Sequence, residues 1–193
     1  MSAGLELLKS LKAVRQFFAD VGQLLLTAEG MMAEQSWEPI GDAGCLVWTS
    51  AMVTKSSHWI PRFAARHYVC PQQFPNVVAI ISVLIDDFEI GKDFKLTEPV
   101  VSASFFVLPE ETSEEHCRVD RWNALWLGYG YVEADGTPYS IDSSHDDWQE
   151  THRWKFMTMF GWPLVDIGNQ ESLKAKIVDP LIQLMVNNRD KVT

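Results

Sequence analysis

Three groups of side chains have the types and spacing that chemistry requires. His58, Arg62 and Arg66 recur at every fourth position, so on a helix they would project from one face. Arg presents a rigid fork of donors matched to carboxylate or phosphate, which makes this stripe the candidate site for a small anionic ligand. Glu110, Glu111, Glu114 and Glu115 crowd the stretch after Pro109, directly ahead of His116 and Cys117. Asp142-Ser143-Ser144-His145-Asp146-Asp147, with His152 beyond, mixes carboxylates and imidazoles as a divalent-cation loop would.

Each group also has a plainer reading. The His/Arg stripe, with Trp59, Ile60 and Phe63 on its apolar side, could pair with the chain's own acids, and such surface pairs are common and weak. Four glutamates after a proline suit the exposed first turn of a helix, where the dipole favours negative charge. His116 and Cys117 are sequence neighbours, and neighbours do not face each other on a helix, which argues against a nucleophilic dyad. The glutamates are therefore read as a surface for a partner, not as a catalytic pair.

The doublet His145-Asp146 resembles the centre of the motif in HD-type metal phosphohydrolases. That resemblance spans two residues and implies an all-helical domain, whereas this chain is rich in strand patterns. A solvated Asp/Ser loop around Trp148 explains the same residues. No metal and no other cofactor is expected. The chain contains no GxSxG elbow, HExxH, GxxxxGK[ST] or EF-hand loop. Gly128-Tyr129-Gly130 begins like a dinucleotide fingerprint, but Glu133 stands where the third glycine belongs.

Charge narrows the choice of partner. The 193 residues carry a net charge of −10, unevenly spread. Residues 1–85 hold six acids and six bases, residues 86–150 hold sixteen acids and four bases, and residues 151–193 hold four acids and six bases. The middle segment is thus −12, a field that repels nucleic acid and anionic membranes and favours a basic protein surface. The three cysteines, Cys45, Cys70 and Cys117, form no close pair, which argues against a disulfide framework or a CxxC site. Lys9, Lys12 and Arg15 interrupt the apolar residues of the N-terminus, so it does not read as a signal peptide. A cytoplasmic location is expected.

The elements that must position these residues are legible in outline. Leu7, Leu11, Val14, Phe18, Val21, Leu25, Ala28 and Met32 alternate spacings of four and three, which predicts an amphipathic helix from Leu5 to Gln35. Leu8, Phe17, Leu24 and Met31 widen the seam, as core-facing helices do, while a seam between two chains is the alternative. Gly22 within it marks a bend or close packing. Cys45–Val53 reads as extended, and a short helix is expected near 57–68, carrying the His/Arg stripe. Val77–Ile85 and Val100–Leu108 read as strands, neighbours in an antiparallel sheet. Trp122–Val132 alternates, Glu133–Gly136 is a turn, and Tyr139 with Ile141 is expected to return as a short strand. Trp154 to Trp162 is a last strand. Asn169 caps a helix at Ser172, and Asp179-Pro180 opens a closing segment.

The expected fold is one α+β domain over residues 1–193, a mostly antiparallel sheet of about five or six strands with helices packed on one face. The leading functional reading is a non-enzymatic binding module that recognises a basic protein surface, with homo-oligomerisation through the N-terminal helix possible. An anion-sensing domain using His58, Arg62 and Arg66 is the alternative, and a metal-dependent hydrolase the second alternative.

Overall fold

The computed structural model describes residues 3–41, 46–47, 61, 63–85, 96–109, 134–142 and 154–192. Helix α1 runs Ala3–Glu34, close to the span that its seam predicts. Its C-terminus is a Schellman motif built without glycine. Ser36 takes a left-handed φ of 65°, Trp37 N donates to Met32 O and Ser36 N to Ala33 O. Met32 and Trp37 are both buried, and the Trp37 indole stacks on Phe74 at 5.7 Å. The chain therefore leaves the helix in one direction, toward the sheet.

Among the described residues seven strands form one antiparallel sheet. They are β1 (Glu38–Pro39), β2 (Leu46–Val47), β3 (Phe63–Cys70), β4 (Phe74–Leu84), β5 (Val100–Val107), β6 (Tyr139–Asp142) and β7 (Phe156–Pro163). The order across the sheet is β1, β3, β4, β5, β7, β6, with β2 also paired to β3. Glu38 pairs with Val69 and Leu46 with Ala65, so β1 and β2 lie end to end along one edge. Six positions are filled, and the α+β class with N-terminal and C-terminal helices holds.

The expected short helix near 57–68 does not hold over its described part, where residues 63–70 are β3. Phe63-Ala64-Ala65-Arg66 reads as helical because alanine and arginine favour helices and no apolar/polar alternation shows. Alternation is absent because β3 is covered on both faces: Phe63 through Tyr68 are all buried. Pairing with β4 along eight registered residues overrides the local propensity.

Both faces of the sheet are in fact buried, not one. On the first face Ala64, Tyr68, Ala79, Ile81, Val101, Phe105 and Phe160 pack against α1 and the C-terminal helices. On the second face Ala65, Ile80, Leu84, Val100, Phe106, Met157 and Trp154 form a separate cluster.

After β7 a single 3-10 turn, Leu164–Asp166, leads to α2 (Gln170–Leu173). Asn169 and Ser172 close the expected capping box, the Asn169 side chain accepting from Ser172 N at 2.8 Å. A π-helical turn, Lys174–Val178, then runs directly into α3 (Asp179–Asn187), and α4 (Arg189–Val192) ends the described chain. Asp179-Pro180 was expected to start a helix, yet Asp179 already has helical dihedrals and its N–H donates to Lys174 O. The wider π-turn accommodates a proline that has no N–H for the normal ladder. Leu173, Ile177, Val178, Leu181 and Met185 from this run complete the first-face core.

Candidate functional site

Arg66 sits in mid-strand on β3, 5% exposed, and its Nε donates to Glu29 Oε2 of α1 at 2.6 Å. Alternation along β3 puts Tyr68 on the same face. Its hydroxyl is fully buried and has no hydrogen-bond partner among the described residues. Burial pushes its ionisation well above the ordinary tyrosine range; the Glu29 carboxylate adds to the shift and the Arg66 guanidinium opposes it. The cluster fastens the C-terminal half of α1 to the sheet. The expected helical stripe does not form at Arg66, which lies on β3 and is paired with Glu29, while His58 and Arg62 lie outside the described residues.

Glu110, Glu111, Glu114 and Glu115 lie outside the described residues, as do His145, Asp146, Asp147 and His152. Of the carboxylate–imidazole loop only Asp142 is described, and Lys191 Nζ reaches its Oδ2 at 3.5 Å. Among the described residues no three His, Cys, Asp or Glu side chains converge as metal ligands. On the second sheet face Ser82 and Ser102 satisfy one another, hydroxyl to hydroxyl at 2.6 Å. Buried hydroxyls that bond each other hold strands in register.

What the structure leaves open lies on α1. In its C-terminal half Val21, Leu25, Ala28 and Met32 are buried against the sheet. In its N-terminal half the same seam is uncovered: Leu7 is 62%, Leu11 52% and Val14 41% exposed, with Leu8 at its flank and Leu5 exposed on the far side of the helix. At 32 residues α1 is about 48 Å long, and its core contact begins only at Phe17 and Val21. The helix overhangs the described body of the domain, and five large apolar side chains go with it.

Where the overhang meets the body, a groove of about 560 Å³ opens between α1 and the segment from Leu164 to Leu173. Phe17, Leu24, Leu164 and Leu173 form apolar parts of its lining, and Asp20, Gln23, Asn169 and Gln170 the polar parts. Gly22 on this stretch has open space where a Cβ would stand, so close packing does not account for it. Sequence reasoning found the seam but placed Val14 and Phe18 in the core. It also missed Glu29, whose only signal was an acid at a position flanking an apolar seam.

No helix among the described residues is long and apolar enough to cross a membrane. No family model, curated protein or solved structure matches this chain.

Proposed function

We propose that the chain is a non-enzymatic protein-binding module whose docking element is the overhanging half of α1. The observation that supports this reading is the uncovered seam of Leu7, Leu11 and Val14, flanked by Leu8. Contiguous apolar patches larger than a few hundred Å² are rare on monomers and mark interaction sites. An amphipathic helix with one free face binds through anchors at heptad spacing. The acidic segment 86–150 serves the same role at longer range, steering a basic protein surface toward the molecule.

Cross-linking in lysate tests both parts. Leu7→Asp with Leu11→Asp should abolish cross-linked species and leave the melting temperature unchanged, because both positions are exposed. Glu110, Glu111, Glu114 and Glu115 changed to Gln should remove only species that also fade when salt rises from about 0.05 to about 0.5 M. The same cross-linked species in wild type and in the Asp variant would show that the seam is merely solvated.

A further inference from the structure

We infer that the groove between α1 and the segment from Leu164 to Leu173 is the binding site of a small organic cation, an ammonium group carried on an apolar body. The site is separate from the seam of Leu7, Leu11 and Val14 and does not depend on it. Its volume of about 560 Å³ falls within the roughly 300–1,000 Å³ that small-molecule sites occupy.

The lining has an apolar floor and a polar rim. Val21, Ile167 and Leu173 are buried, whereas Asp20, Asn169 and Gln170 at the edge are exposed. On α1, Phe17, Asp20, Leu24 and Thr27 recur at steps of three and four, so they line one side of the helix over about 15 Å. The short stem of a lysine from a protein partner would span less than half of that length, so the occupant is a free molecule.

Charge decides what kind of molecule fits. Asp20 is the only ionisable side chain in the lining, and no Lys, Arg or His stands there to favour an anion. Its Oδ1 accepts from Gln16 Nε2 at 2.8 Å, one turn back along α1, and it has no ion-pair partner among the described residues. That contact holds one carboxylate oxygen and leaves the other for a ligand. A neutral ligand lying over the carboxylate would displace its water and return no charge, and an anion would be repelled. An ammonium brings three N–H donors and the opposite charge. Phe17 stands one turn before Asp20 on the same side of α1, so its ring flanks the same position, where a cation is again favoured.

Phenylbutylammonium, with phenylbutanol and phenylbutanoate as its neutral and anionic counterparts, tests this at neutral pH. The readout is the NMR shift of the Gly168, Asn169 and Gln170 amides, which belong to the wall opposite α1. The ammonium should give saturable shifts at millimolar concentration, as expected of so small a ligand. It should bind about two- to fivefold more tightly than the alcohol, the range for a solvent-exposed ion pair, and the anion should bind most weakly. Asp20→Asn, which can still accept from Gln16, should bring the ammonium down to the affinity of the alcohol and leave the alcohol unchanged. No saturable shift at these three amides up to about 20 mM would overturn the site. Equal binding of ammonium and alcohol to wild type, or a preference for the ammonium that survives Asp20→Asn, would overturn the assignment of a cation to Asp20.

Discussion

Glu29 and Arg66, thirty-seven residues apart, meet at 2.6 Å where α1 crosses β3. The arginine is buried and the glutamate about one-quarter exposed, so this is a partly desolvated pair. Glu29→Gln keeps the shape and removes the charge. We expect a loss of about 1–3 kcal/mol in urea unfolding, the range for a hydrogen bond to a charged group, reduced by solvent at the glutamate. A change within about 0.3 kcal/mol would mean that α1 is held by its apolar contacts alone.

Beside this pair, Tyr68 supplies a test with a pH axis. Its hydroxyl is buried without a hydrogen-bond partner among the described residues, so Tyr68→Phe should be neutral or slightly stabilising near pH 7. Its ionisation is raised in the fold, so the neutral form is the one the fold holds. That contribution is complete below the unfolded tyrosine value of about 10 and is lost as pH rises through the folded value. Wild type should therefore lose stability above about pH 10 more steeply than Tyr68→Phe. Urea midpoints at a series of alkaline pH values read the difference, and parallel curves would count against the assignment.

The two halves of α1 should respond differently to the same kind of substitution. Leu25→Ala empties part of the first-face core and should reduce stability by about 2–5 kcal/mol. Leu7→Ala removes an exposed side chain and should stay within about 0.5 kcal/mol in the monomer. Chemical denaturation at low protein concentration measures both. Equal losses would mean that the overhang packs on its own body.

Gly136 is held for two reasons at once. Its φ is +81°, and a Cβ there would collide with the Trp162 indole. Its N–H also donates to Gly161 O at 2.8 Å, so the turn cannot drift away from β7. Gly136→Ala should lower stability by about 1–3 kcal/mol, through left-handed strain and displacement of the indole. Thermal unfolding gives the first effect and a shift in tryptophan emission the second. An unchanged melting point would require that the turn re-forms elsewhere.

The elements legible in the sequence are those whose pattern is local. The 3.5-residue spacing determined α1, the β-branched runs determined β4 and β5, and Asn169 with Ser172 determined where α2 begins. A capping box or a heptad is satisfied within a few turns of chain, so neighbours in sequence suffice to read it. Tertiary structure alone decided the fate of Arg66. In a strand buried on both faces apolar residues no longer alternate with polar ones, and Phe63-Ala64-Ala65-Arg66 then looks like a helix. Whether Arg66 was free depended on Glu29, a residue on another element. The seam of α1 shows the same division. Its periodicity is written in the sequence from Leu7 to Met32, but only the reach of the sheet decides that Leu25 is core while Leu7 and Leu11 are left facing outward. Burial is a property of what lies alongside, and one helix has the same seam whether a sheet, a second copy or water covers it.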